Sequence, residues 1–269
     1  MKVILSRKGF DSQYGGQPSP ILPKGTLLSL PIPQNNDIVS FRDLSHNNKP
    51  YTEIITELNY RNREITNQKA HLDPDLRKDI YQKRNANWKP IFGQSGAAQG
   101  HLRNQNVTVN DIFLFFGWFR QTEIYKGKLR YKTNCPDLHI IFGYLQIGEI
   151  YSYGDNFPEY AKGHPHCDNM HKNLISNCIY VAKDRLTFNE TLLGANTLEY
   201  NKNLVLTKDG MTKGKWELPH FFRELEISYH TKNSFENDHF KSADKGQEFV
   251  VKPSEKLTLW VKELIEKNV

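Results

Sequence analysis

A chain of 269 residues with a formal net charge of +6, 38% hydrophobic and 12% aromatic content can bury one large core or two small ones. No apolar run approaches the ~20 residues needed to cross a bilayer, and the N-terminus carries no long apolar segment, so neither a membrane span nor a signal peptide is read and a cytoplasmic protein is expected. Cys135, Cys167 and Cys178 are odd in number and widely spaced, which predicts free thiols, and the basic balance favours a polyanionic partner, nucleic acid first.

Val3 to Leu5 reads as a buried strand that exits into a run dense in polar, Gly and Pro residues. Asp11 sits in that exit with Tyr14, Gly15, Gly16 and Gln17. It has the surroundings of a general base or nucleophile, and equally those of a carboxylate capping a turn. Leu27 to Ile32 reads as a second strand beside the first. Asn47 and Asn48 before Pro50 signal a helix carrying Tyr51, Ile54, Ile55 and Leu58 on one face, continued by polar residues that include Arg61 and Arg63.

In His71-Leu72-Asp73-Pro74-Asp75, Asp73 stands where an N-cap belongs and Pro74 at the first helical position, predicting a helix to about Gln82. Capping accounts for Asp73 and leaves His71 as a proton-transfer candidate or a structural histidine. Lys83, Arg84 and Lys89 around Trp88 suit phosphate contact and stacking. Phe92 to Leu102 reads as a Gly-rich loop in which Gln94, Ser95, Gln99 and His101 can address a base edge; its glycine spacing fits neither a Walker nor a Rossmann loop.

Asp111 to Arg120 and Leu138 to Tyr151 are the strongest strand signals and form an expected antiparallel pair. His164, His166 and Cys167, with His171 close behind, are the one cluster of metal-ligand types. The second half of a four-ligand pattern is missing in sequence, so His164 and His166 read as phosphate or base contacts and no metal or other cofactor is expected. Ser176 to Ala182 and Gln247 to Val251 read as strands, and Lys213, Lys215 and Trp216 repeat the cation-plus-indole theme. Ser254 caps a helix with Leu257, Trp260, Val261, Leu264 and Ile265 on one face. The expected fold is α+β: one domain over 1–269, a mixed or barrel-like sheet flanked by the helices after Pro50 and Pro74 and closed by an amphipathic C-terminal helix.

The block Ser6 to Ser12, with Tyr14-Gly15-Gly16, Pro18 to Ile21 and Gly25 to Pro33, resembles the start of the third family of nucleotide-modification-associated domains of bacteria and phages. His71 to Leu76, Phe92 to Leu102 and Asp111 to Arg120 fit the same family. The resemblance implies work on modified bases in DNA in a setting of phage conflict, and supplies no reaction. The two long strands are also similar to those of PUA-like and EVE-like domains, which hold a flipped base. Two functions follow as expectations. One is a DNA glycosylase using Asp11 as the carboxylate, Gln17, Gln94 and Gln99 as amides, Tyr14 and Trp88 for stacking, and Arg7 and Lys8 for phosphate. The other is a reader with the same pocket and no chemistry. Modified, double-stranded DNA with a flipped base is the expected partner, with no membrane and no obligate protein partner.

Overall fold

A computed structural model of the chain describes residues 1–58, 65–168, 171, 173–244 and 246–269. The sheet begins with β1 (Val3–Arg7), β2 (Ser19–Ile21) and β3 (Ile91–Gln94). It continues through β4 (Ile112–Tyr125), β5 (Lys128–Tyr131), β6 (Leu138–Ser152), β7 (Cys178–Ala182), β8 (Ala195–Thr197) and β9 (Glu248–Val251). The order across it is β9-β1-β4-β6-β7-β3, with β2 and β5 added along β4 and β8 along β6. Of the pairs, β1 and β2 run parallel to β4, with Val3 opposite Ile112 and Arg7 opposite Phe116, whereas β4 and β6 are antiparallel. The sheet is therefore mixed and open, and the barrel-like alternative is not the one adopted.

Ile112 to Phe119 are all buried, without alternation, because this central strand is covered on both faces. Phe92, Phe113, Phe115 and Tyr180 pack there with ring centroids 4.8–5.8 Å apart. Helix α1 (Tyr51–Glu57) buries Tyr51, Ile54 and Ile55 in a second cluster with Phe10, Leu28 and Phe41. Helix α2 (Gly96–Asn104) follows β3 directly. The Ser254 hydroxyl accepts the Leu257 N–H at 3.1 Å to start α3 (Glu255–Glu266), whose Leu257, Val261, Leu264 and Ile265 complete the main core. Burying four such side chains contributes about 1.5–3 kcal/mol each. All three cysteines are free.

Four local expectations are corrected. Leu27 to Ile32 is not a strand beside β1: Leu27 makes a single bridge to Ile21, and Ile32–Pro33 pairs instead with Ala70–His71. Pro31 and Pro33 have no N–H with which to extend a ladder. Asn47 and Asn48, at φ 48° and 64°, form the turn of a small hairpin between Ser45–His46 and Lys49–Pro50 instead of capping α1. The helix after Pro74 is absent. Asp75 exchanges both backbone hydrogen bonds with Ile91, so pairing with β3 overrides the capping signal and leaves only a 3-10 turn at Lys78–Ile80. The Gly-rich loop is a strand followed by a helix. Arg61 and Arg63 lie outside the described residues.

Candidate functional site

Where β1 ends, a cavity of about 460 Å³ opens between the first loop, the end of β3 and the approach to β9. Arg7, Lys8, Asp11 and Tyr14 line it from the exit of β1, and Gln94 and Ser95 from the end of β3. The short Ile32–Pro33 and Ala70–His71 ladder brings His71 and Asp73 to its wall, and His166 and His171 face it from the segment after Gly163. A 3-10 turn at Pro165–Cys167 lays the His166 imidazole across β3 at Gly93, where an added Cβ would stand 2.3 Å from the ring. Only glycine permits that approach.

The hydrogen bonds of this wall fix the state of its histidines. His71 Nδ1 lies 2.8 Å from Asp37 Oδ2, and a carboxylate only accepts, so Nδ1 carries the proton. His166 Nδ1 lies 2.7 Å from Asn177 Oδ1, while the Asn177 amide nitrogen donates to the His166 carbonyl at 2.8 Å. His166 therefore also donates from Nδ1. Burial pushes the His166 imidazole down to about 3, despite Asp73 nearby, so it is neutral at pH 7. Asp73 Oδ1 accepts the Gly93 N–H at 2.7 Å and lies 3.3 Å from His164 Nε2, an ionic contact without hydrogen-bond alignment. Burial opposes charge on both members of that pair, yet the contact prevails, and Lys8 adds to the positive field. It holds the Asp73 carboxyl far below the usual range and, with Cys167 beside the ring, lifts His164 well above its own. The ring centroids of His71 and His166 are 5.3 Å apart, and those of His166 and His171 4.6 Å.

A second network closes the floor. Lys8 Nζ lies 2.9 Å from Glu248 Oε1 and 4.5 Å over the Phe92 ring. Gln94 donates to the same Glu248 oxygen at 2.8 Å and accepts the Ser95 N–H at 3.0 Å, so both ends of its amide are engaged. The Arg7 guanidinium donates to the carbonyls of Ala243 and Asp244, and burial lowers its pKa against the pull of Asp11 and Asp244. Asp11 Oδ1 accepts the N–H groups of Gln13 and Tyr14 at 2.7 Å each, which realises the turn cap, while the residue also lines the cavity. Tyr14 stands 49% exposed at the rim.

The remaining candidates do not line this cavity. Arg84 grips both oxygens of Asp75 and lies 4.4 Å over Trp88, whose indole N–H donates to Asp75 at 3.0 Å. Those groups satisfy one another and leave nothing for a phosphate. Lys83, by contrast, is exposed and pairs with Asp43 at 3.0 Å. Gln99 accepts the Tyr180 hydroxyl, His101 bonds Ser228 and lies 4.2 Å from Tyr229, and Gln17 is buried. His164 sits behind the wall, against Asp73. Trp216 is buried, donating to His139, so its motif belongs to the core. Asp37 and Asn177 were missed because their role is to hold a histidine from another segment. Asp73 was hidden by its resemblance to a cap. The partners sought around His166 lie in space at His71 and Asp73: one ligand-type atom from each of the three falls within 4.8 Å of the others.

The fold is α+β with an open sheet, and at the end of its first strand a polar cavity with room for a group of nucleotide size lies beside buried imidazoles and carboxylates. The sequence profile described as nucleotide modification associated domain 3 matches residues 2–252, and the chain belongs to that family. It is thereby tied to modified nucleotides. Neither a curated protein nor a solved structure matches it. No helix among the described residues is long and apolar enough to cross a membrane.

Proposed function

We propose that this protein accepts a modified base, extruded from DNA, in the cavity beside β1 and hydrolyses its N-glycosidic bond. The observation that carries the reading is the meeting of Asp11, His71, Asp73 and His166 around one polar cavity about the size of a nucleotide. In the reaction the bond from C1′ to the base nitrogen breaks, the water oxygen joins C1′, and a water proton ends on the departing base. A carboxylate is needed to orient that water or to stabilise the cationic sugar, and a proton carrier to accompany the base. Asp11 and Asp73 are the carboxylates available, and His71, oriented by Asp37, is the carrier. Tyr14 at the rim offers a stacking face. Phosphate attraction falls to exposed cations such as Lys83, whose pair with Asp43 is open to solvent, since Arg84 and Lys8 are buried against acids of the protein.

A reader of the same base is the second reading. It draws support from Asp11, one of whose oxygens already caps its own turn. Incubating the purified protein with modified and unmodified phage DNA, followed by alkali, separates the two. Strand breaks confined to modified DNA support excision, whereas tight binding without breaks leaves the reader.

A further inference from the structure

The hydrogen bonds of the His71, Asp73 and His166 side chains go to other residues and none joins one of the three to another. Nδ1 of His71 is held by Asp37 and Nδ1 of His166 by Asn177. In the neutral form each imidazole then has its lone pair on Nε2, the tautomer of a metal-ligating histidine whose other nitrogen is fixed by an oxygen acceptor. Neither Nε2 makes a hydrogen bond among the described residues, and Asp73 uses Oδ1 for Gly93 while Oδ2 has no such partner. One ligand-type atom from each of the three residues falls within 4.8 Å of those of the other two. Donors around an ion at ~2.1 Å stand about 3–4 Å apart, which small side-chain adjustments reach.

His171 adds an independent observation. Both its ring nitrogens are buried without a hydrogen bond among the described residues, although the ring stacks on His166 and lies 5.5 Å from His71. A buried imidazole with neither nitrogen engaged is costly, and ligation removes that cost. A ligand-type atom of His171 falls within 4.8 Å of one on His71 and one on Asp37, which seats His171 beside His71.

We infer that His71, Asp73 and His166 bind one divalent transition-metal ion on the cavity wall, with His171 as the adjoining fourth ligand. Imidazoles with a single carboxylate suit the zinc and iron class, while magnesium and calcium favour all-oxygen sets. Asp37 and Asn177 are positioning residues: they touch the ligands and not the ion. The inference shares the cavity with the glycosidic reading and changes one role in it. Ligated through Nε2, His71 no longer carries the proton, and Asp11 is left as the carboxylate not bound to the ion. The inference itself stands or falls on metal binding alone.

The test uses the full chain, stripped with a chelator and titrated with Zn²⁺, Co²⁺ or Mg²⁺ by calorimetry, with visible spectra of the Co²⁺ form. One equivalent of Zn²⁺ bound at micromolar affinity or tighter is expected, with no competition from Mg²⁺. The Co²⁺ form should show the bands of nitrogen and oxygen ligation and no thiolate charge-transfer band. His166→Ala should abolish binding, and Asn177→Ala should weaken it by about 10–100-fold, the effect of losing a residue that orients a ligand. Should His166→Ala fail to fold, the wild-type spectrum and the Asn177→Ala titration still decide. Stripped wild-type protein that takes up neither Zn²⁺ nor Co²⁺ would overturn the inference, as would uptake unchanged in both variants. Metal binding without base release sinks the glycosidic reading and keeps this one, while base release by protein that binds no metal does the reverse.

Discussion

The indole knots at Trp88 and Trp216 and the histidine wall of the cavity are built from similar side chains and have opposite properties. At Trp88 every charge meets its opposite: Arg84 covers both oxygens of Asp75, and the indole N–H completes the set. At Trp216 the indole donates to neutral His139 in a closed aromatic core. Around the cavity Nδ1 of His71 and of His166 is held, Nε2 of each makes no hydrogen bond among the described residues, and both His171 nitrogens beside them are without one there too. Residue type alone does not mark a site. Incomplete pairing at a cavity does, since burying unpaired polar groups costs stability and a fold keeps them for a ligand.

If the knots are structural, the largest effect on stability belongs to Arg84→Ala, which strands the Asp75 carboxylate at 3% exposure. Breaking a buried pair from one side costs about 3–5 kcal/mol. Denaturant unfolding should show that loss, while the salt dependence of DNA binding by the folded fraction stays unchanged. Gly93→Ala sharpens the other side of the comparison. Its Cβ forces the His166 ring off β3 at a cost of about 1–3 kcal/mol, and base release should fall by far more than this destabilisation explains.

A smaller effect appears with pH. Burial, reinforced by Arg7 and Lys213, pulls His139 well below its usual value, so it is neutral when folded and titrates near 6.5 only when unfolded. Its contribution is intact above about pH 6.5 and is lost as pH falls below it, by up to about 1.4 kcal/mol per unit. Unfolding of His139→Gln measured across about pH 7.5 to 5.5, one unit either side of that titration, should show a shallower acid limb than wild type. Smallest of all is Lys83→Ala, an exposed ion pair whose loss should leave the unfolding midpoint unchanged.

The parts of the fold legible in the sequence are those whose signals are local. The unbroken apolar run of β4 and the Ser254 cap with its single apolar face in α3 each carry their own structure. Asp73 defeats local reading because Asp-Pro looks the same whether the carboxylate caps a helix or accepts an N–H from a strand twenty residues on. The cavity wall is harder still. His71 and His166 meet only because β3 lies at the sheet edge beside β7 and Gly93 leaves room for a ring, and neither fact is visible in the spacing of either histidine. Arg7, Lys8, Asp11 and Tyr14 were found together because they lie close in sequence at the exit of one strand.

The most direct measurement is single-turnover release of base from modified DNA by Asp11→Asn. Asparagine keeps an oxygen for the Gln13 and Tyr14 N–H groups, so the turn and the thermal midpoint should survive. If the cavity is where the glycosidic bond is cut with Asp11 as its carboxylate, release falls by about a hundred- to ten-thousandfold. Release at the wild-type rate by the folded variant would contradict that role and leave Asp11 a turn cap.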